Sequence, residues 1–207
     1  VDNHKKQKTN HSIWKGVKMG IIANYKYLSD KNLKELKAFC SEENETFEET
    51  EEQNGDAEIL LDLDKMWDAL HFVLTGASSS EPIKNNPFSE AVVGVSSIEG
   101  VEEFISYIEK GRIKDIVFAL DHFDIEKAME NFSMKECKKA NIYPDIWNYE
   151  EETDEIKEEL MDYFQNLHEL ARNQVSSHLA TRQLQNQSLM TWRIPYVHRY
   201  TPYDPAR

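Results

Sequence analysis

Trp67 and His71 are the residues of this chain best suited to chemistry, and they lie four positions apart in a stretch with helical periodicity. Residues at that spacing share one face of a helix, so the indole and the imidazole could lie side by side. A histidine in such a position can transfer a proton or bind a ligand. In the alternative interpretation, which the residue types favour, Trp67 anchors the core and His71 lies at its edge with a ring nitrogen hydrogen-bonded.

A ligand pocket around His71 would take its other walls from the same stretch and from a second aromatic motif. Aromatic side chains around one titratable group are typical of small-molecule sites. The candidate pocket comprises Asp64, Trp67, His71, Thr75, Tyr143 and Trp147. No catalytic residue is assigned. The sequence leans against an enzyme, because the loop serines Ser78 to Ser80 have no recognisable base and no GxSxG turn.

Motifs for metals and nucleotides do not occur in the sequence. The stretch Asp121-His122-Phe123-Asp124 places carboxylates on both sides of a histidine, but Asp124 is better placed to cap the following helix. A zinc site would need a second histidine at helical spacing, as in HExxH, and none occurs there. The seven glycines are scattered, with neither GxGxxG nor GxxxxGK[ST] spacing. We therefore expect no metal and no cofactor.

The chain carries a strong negative charge. Its 38 acidic and 24 basic residues give a formal net charge of -14, and residues 42–58 and 150–159 are the most acidic stretches. Such a field repels nucleic acid and anionic lipid and favours basic partners. The charge predicts a non-catalytic acidic binding module that captures a basic protein, in the manner of an immunity protein. The alternative is a small-molecule-binding or enzymatic domain centred on His71.

The apolar runs and the cysteines bear on location. The longest apolar runs, such as 116–120, are far shorter than the roughly 20 residues that a membrane-spanning helix needs. The first 18 residues lack the apolar centre of a secretory signal. Cys40 and Cys137 form no CxxC pair, so both are expected to be reduced, buried thiols. These features predict a cytoplasmic protein.

Composition divides the chain into three parts. Residues 1–18 are polar and basic. The peptide just before Met19 can be encoded by a purine-rich stretch that resembles a bacterial ribosome-binding site, so we expect the natural chain to begin at Met19. Residues 172–207 contain five of the six arginines and are rich in Gln, Tyr and Pro, which predicts a poorly ordered tail. The domain itself is expected to span residues 19–171.

Apolar periodicity predicts few strands and many helices. Strands are predicted at residues 20–28 and 91–95. One helix is predicted after a Ser29 cap, and another from an Asp62 cap to a left-handed Gly76. Further helices are predicted at residues 98–110, 113–123, 124–132, 133–140 and 150–171. This pattern predicts a helix-dominated α+β fold, in which several helices pack on a small mixed or antiparallel sheet.

Three stretches of the sequence are similar to a known family. They are MGI from Met19, LDKMWDALHFVLTG from Leu63 to Gly76, and NIYPDIW from Asn141 to Trp147. In these residues the chain resembles the YfbM-like family of uncharacterised bacterial proteins, over about residues 19–171. The resemblance implies no activity. It implies a compact α+β domain that ends with a short apolar strand after its last long helix.

That final strand is expected to be missing here. The residues in its place, 175–179, read VSSHL, which is not a strand pattern. A sheet without its last strand would expose an edge, where a second copy could pack to form a dimer. The oligomeric state is left open.

Overall fold

The strands that the structure describes form one antiparallel sheet. The computed structural model describes residues 19–40, 61–98, 104–180 and 187–197. Its strands are β1 (Met19–Ser29), β2 (Leu61–Asp62), β3 (Ser96–Ile98), β4 (Phe104–Ile108) and β5 (Gln187–Val197). Their order in the sheet is β2-β1-β5-β4-β3, and each neighbouring pair is antiparallel. Among these described strands, β5 is therefore central although it comes last, and the short β3 lies at one edge.

Helices make up most of the remaining described chain. They are α1 (Asp30–Cys40), α2 (Trp67–Thr75), α3 (Pro87–Val93), α4 (Lys110–Asp121), α5 (Ile125–Glu130), α6 (Met134–Lys139) and α7 (Thr153–Ala180), with a short 3-10 turn at Glu150–Glu152. The predicted helix-dominated α+β fold with a small sheet is confirmed. Among the described residues, no helix is both long enough and apolar enough to cross a bilayer.

The two faces of the sheet are covered by different helices. Ile108 belongs to the main core, which also contains buried side chains of α2 to α7. Tyr107 precedes it on β4 and so faces the opposite side of the sheet. On that side Lys37 of α1 lies 3.8 Å above the Tyr107 ring, and Leu36 of α1 is buried. The sheet is therefore sandwiched between α1 and the larger helical layer.

Helix caps follow the predicted chemistry. The Ser29 hydroxyl accepts a hydrogen bond from the Asn32 amide at 3.0 Å, at the start of α1. Asp124 accepts from the Lys127 amide at 2.9 Å at the start of α5. Because these side chains bind amides that the first helical turn leaves free, each fixes where its helix begins. The αL conformation predicted for Gly76 is also present, with φ of 75° at the end of α2.

The start of α2 differs from the prediction. The helix begins at Trp67, and Asp62 does not cap it; the Asp62 carboxylate accepts instead from the Asp64 amide at 2.7 Å. This local bond closes a turn in which Asp64 has a φ of 42°. The first residues of the motif therefore form a turn after β2, where Asp64 O accepts from the Ala23 amide of β1.

Two predicted elements are wrong. Residues 91–93 belong to helix α3, not to a strand, because Asn86 caps Phe88 and Ser89 amides and Pro87 favours the first helical position. The predicted helix at 98–110 overlaps β3 and β4 instead. An apolar run buried on every side shows neither period clearly, and sheet pairing decides the conformation of the second segment.

The segment after residue 171 differs most from the prediction. Helix α7 continues to Ala180, and β5 pairs with β1 along its whole length and with β4. The expectation that the final strand is missing is therefore wrong, since that strand is formed by residues 187–197. The predicted N-terminal extension, residues 1–18, lies outside the described residues, as do 41–60, 99–103, 181–186 and 198–207.

Candidate functional site

His71 is fully enclosed, with 0% of its surface exposed. Its Nδ1 lies 2.8 Å from the Ala77 carbonyl oxygen, which only accepts, so Nδ1 carries the proton. Its Nε2 lies 2.8 Å from the hydroxyl of Ser89, and that hydroxyl accepts from the Ile83 amide at 3.0 Å. The Ser89 proton is then free to point at Nε2. Through these partners the imidazole joins α2, the following loop and α3.

Thr75, another residue of the candidate pocket, lies beside His71. Its hydroxyl donates to the His71 carbonyl oxygen at 2.7 Å and accepts from the Ala77 amide at 3.1 Å. The same oxygen lies 3.3 Å from His71 Nδ1. Thr75 therefore closes the end of α2 and holds the Ala77 carbonyl at the imidazole.

Trp67 and Tyr143 meet across the two motifs, with ring centroids 5.5 Å apart. Trp67 Nε1 donates to the Ile21 carbonyl oxygen at 2.9 Å, and the Tyr143 hydroxyl accepts from the Ile21 amide at 2.7 Å. Both polar groups of Ile21 on β1 are thus bound by the aromatic pair. Burial raises the pKa of Tyr143, and its peptide bond to Pro144 is cis.

The other two candidate residues take separate positions. Trp147 is buried, packs edge-on against Phe132 and donates from Nε1 to the Ile142 carbonyl oxygen at 2.6 Å. Asp64 lies in the exposed turn after β2. The structure therefore brings together two pairs, Trp67 with Tyr143 and His71 with Thr75. Their polar atoms bind backbone groups, except that His71 Nε2 binds the Ser89 hydroxyl. As a ligand pocket, the set of six residues stays a prediction.

Asp68 is a buried carboxylate that the sequence analysis missed. One oxygen accepts from the Ser79 amide at 2.6 Å and from the Ser78 hydroxyl at 3.1 Å, and the other accepts from the Tyr143 amide at 2.8 Å. It thereby links α2 to the following loop and to the second motif. In the sequence an acid at this position is typical of the first turn of any helix, so only its place beside Trp67 on a buried face could have revealed it.

A cleft of about 690 Å³ lies next to the His71 network. Its walls come from the loop after α2, from α3 and from β3 with β4. Ser89, which binds His71, lines it, so the imidazole lies one hydrogen bond behind the cleft wall. Ile83 and Val95 also line it and are 38% and 44% exposed. Most of its polar side chains are hydroxyls, from Ser79, Ser80, Ser89, Ser96, Ser97 and Ser106.

A buried carboxylate also lines the cleft. The Glu90 side chain is 7% exposed, and its Oε2 accepts from Arg112 Nε at 3.0 Å and Nη2 at 2.8 Å. The hydrogen bond to Glu90 raises the pKa of Arg112. Arg112 Nη1 also donates to Asp115 at 2.6 Å. One guanidinium thus bridges two carboxylates, and the three charges sum to a net negative charge.

β3 presents an open edge inside this cleft. Among the residues that the structure describes, it pairs only with β4. The Val95 amide donates to the Tyr107 carbonyl oxygen at 3.0 Å, while Ser96 is the register partner of Tyr107. Two residues that oppose one form a β-bulge. The alternation of an antiparallel ladder then turns the N–H and C=O of Ser97 away from β4.

Gly94 makes the bulge sterically feasible. Its φ is 78°, and a Cβ at this position would lie 2.3 Å from Ser106 Oγ. The Ser106 hydroxyl donates to the Val93 carbonyl oxygen at 2.5 Å. Any side chain at residue 94 would therefore push α3 and β4 apart, and the cleft depends on a glycine there.

Known proteins share this sequence pattern and this fold. Residues 19–181 match the domain of unknown function DUF1877. Protein YfbM of Escherichia coli (strain K12) is 38% identical over 92 residues, which are 44% of this chain and 55% of that protein, so the match spans about half of the relative's length. The fold is also similar to the crystal structure of a protein of unknown function, YfbM from Escherichia coli. The two structures superpose with a TM-score of 0.65 and 25% sequence identity, over 84% of this chain and 99% of that chain.

Proposed function

The chain belongs to the DUF1877 family, a family of unknown function, and on that premise we propose that it is a non-catalytic binding domain. Its partner is an extended segment of a basic protein, which adds to the free edge of β3. The resemblance to the YfbM-like family, predicted from three motifs, is thereby confirmed. The family supplies no activity, so the proposal is argued from the cleft alone.

The observation that carries the proposal is a strand edge that opens into a cleft. An extended peptide that adds to such an edge gains main-chain hydrogen bonds, and pockets for its alternate side chains give specificity. Ser97 offers an outward N–H and C=O, and the cleft beside it offers the exposed apolar side chains of Ile83 and Val95. Unpaired strand edges are usually blocked in proteins that have no use for them.

The geometry of His71 supports a binding role over catalysis. Its burial and its two hydrogen-bonded ring nitrogens suit a residue that holds loops in place. The net charge of -14 supports a basic partner, because it raises the encounter rate with a cationic surface. An acidic cytoplasmic domain that captures a basic protein, as an immunity protein does, fits both features.

Peptide display tests strand addition directly. A library of random peptides on phage is selected against the protein, and the enriched peptides are measured by calorimetry with Ser97→Pro and Ser97→Ala. Proline removes the outward N–H, and at an edge position it leaves the β3–β4 ladder intact. We expect peptide binding to be lost in Ser97→Pro and kept in Ser97→Ala. The two variants should have the same midpoint of thermal unfolding. Equal affinity in both variants, or no enriched peptide, would count against the proposal.

A second candidate function is an enzyme that uses Ser89 as nucleophile. The observation in its favour is the 2.8 Å contact between Ser89 Oγ and His71 Nε2 at the cleft wall, where the imidazole could accept the hydroxyl proton. A fluorophosphonate probe should then label the protein, and His71→Gln should abolish labelling while the fold is kept. A binding domain should stay unlabelled, and His71→Gln should lower only its stability.

A further inference from the structure

Among the described residues, only one of the two oxygens of the Glu90 carboxylate in the cleft is hydrogen-bonded. Oε2 takes both hydrogen bonds from Arg112, whereas Oε1 has no hydrogen-bond or ion-pair partner among the described residues. The side chain is more than nine-tenths buried. A buried carboxylate oxygen without a donor is costly, so a native site that keeps one is built to receive a donor.

The charges around Glu90 favour a cation as that donor. Arg112 neutralises only one of the two carboxylates that it bridges, Glu90 and Asp115, and the cluster keeps a net negative charge. The lining also contains Lys84, which is exposed, so its charge is screened by water. The buried Glu90 carboxylate can therefore still attract a ligand ammonium group.

The shape and polarity of the cleft select an ammonium on an aliphatic stem. An ammonium carries three donors and no acceptor, which suits one carboxylate oxygen and the serine hydroxyls around it. Ser96, Ser97 and Ser106 lie in the same lining. A methylene chain can pack on the exposed apolar surface of Ile83 or Val95 while its charged end reaches inward.

We infer that the cleft binds the side chain of a lysine, with the ammonium group on Glu90 Oε1. This inference rests on the proposed function, because it names the residue that a peptide added to β3 would insert. A specific contact with a lysine side chain would add to the general electrostatic attraction between an acidic protein and a basic partner.

The experiment uses n-butylammonium chloride, which reproduces the lysine side chain and forms no strand. The compound is titrated into the isotopically labelled full chain at physiological salt and followed by amide NMR. We expect saturable shifts at Glu90, Ser96, Ser97 and Ser106, with affinity about tenfold or more above that of the neutral 1-butanol, because a hydrogen bond to a buried charge is stronger than one between neutral groups. Equal affinity for the two compounds would overturn the inference.

Two variants locate the effect. Glu90→Gln keeps an acceptor for Arg112 and removes the charge, so it should lose the preference for butylammonium. Glu126→Gln removes one exposed charge elsewhere and should keep it. Shifts confined to the acidic face of α7 would also overturn the inference. Should Glu90→Gln fail to fold, the comparison of the two compounds on the unmodified protein still decides. Butylammonium cannot add a strand to β3, so its binding tests the ammonium site alone and the peptide experiment tests strand addition alone.

Discussion

Replacing Asp68 by asparagine tests whether this buried carboxylate holds the motifs together. The two side chains have the same shape, and the change removes one acceptor oxygen and adds an amide group. Asp68 receives the Ser79 amide at 2.6 Å on one oxygen and the Tyr143 amide at 2.8 Å on the other. Whichever way the asparagine is turned, its NH2 group faces one of these two donors.

The expected loss of stability follows from that geometry. One charge-assisted hydrogen bond is lost, which is worth about 1.5–3 kcal/mol, and one buried N–H is left unsatisfied at about 1–3 kcal/mol. Together these give about 2.5–6 kcal/mol for Asp68→Asn, a large part of the roughly 5–15 kcal/mol that stabilises a typical domain. For a chain of this size the midpoint of thermal unfolding should fall by roughly 10 °C.

Urea unfolding followed by circular dichroism measures the difference. The matched control is Asp162→Asn on the exposed face of α7, which should change the free energy of unfolding by no more than about 0.5 kcal/mol. If Asp68→Asn loses less than about 1 kcal/mol, with an unchanged slope against urea, the two amides do not depend on the carboxylate. The argument that Asp68 joins the two motifs would then be refuted.

Three further predictions concern titratable groups. Burial raises the pKa of Cys137 to about 12, so at neutral pH its alkylation should be about a thousandfold slower than that of an exposed thiol, as measured by mass spectrometry. Burial raises the pKa of Tyr27 to about 12 from 10.0, so its contribution to stability is complete below pH 10 and lost as pH rises towards 12. Between pH 10 and 12 the midpoint of thermal unfolding should fall more steeply for the unmodified protein than for Tyr27→Phe. The hydrogen bonds from His168 and Arg172 lower the pKa of Asp121, so its contribution is present above the usual pKa and lost as acid protonates it; Asp121→Asn should flatten the acid limb of the unfolding profile.

The helical part of the fold was predictable because local chemistry fixes it. Ser29 and Asp124 each cap the helix that the sequence assigns to them, and Gly76 ends α2 in the left-handed conformation. These signals act over one turn, so they do not depend on the rest of the chain. The apolar spacing of residues 150–171 likewise predicted a helix, and Leu160 is among the side chains of α7 that are buried.

The sheet was harder to predict because its strands depend on distant partners. β5 contacts β1 from the other end of the sequence, and its pairing with β1 and β4 makes a strand of a segment whose composition suggested a tail. Residues 98–110 contain an apolar period close to that of a helix, and β4 takes the extended form because β3 and β5 pair on its two sides. Such tertiary context overrides local propensity.

The candidate site was predictable only in part. The structure brings Trp67 to Tyr143 and His71 to Thr75, while the set of six residues as a ligand pocket stays a prediction. No sequence motif indicated the cleft. Its strand β3 is only three residues long, and residues 91–93 of α3 were predicted to be a strand. Glu90 in particular looked like an ordinary surface acid, and only its burial beside Arg112 distinguishes it.

The motif residues act on the cleft through the loop between α2 and α3. His71 binds the Ala77 carbonyl oxygen, and Asp68 binds the Ser79 amide. Ser89, which His71 also binds, holds the Ile83 amide, so the loop that forms one wall is held at three points. A change in the motif therefore moves that wall without touching a ligand. Loss of binding after substitution of His71 would by itself not identify a contact residue, whereas Glu90 and Ser97 line the cleft directly. Only variants at those two positions separate the proposed contacts from the support beneath them.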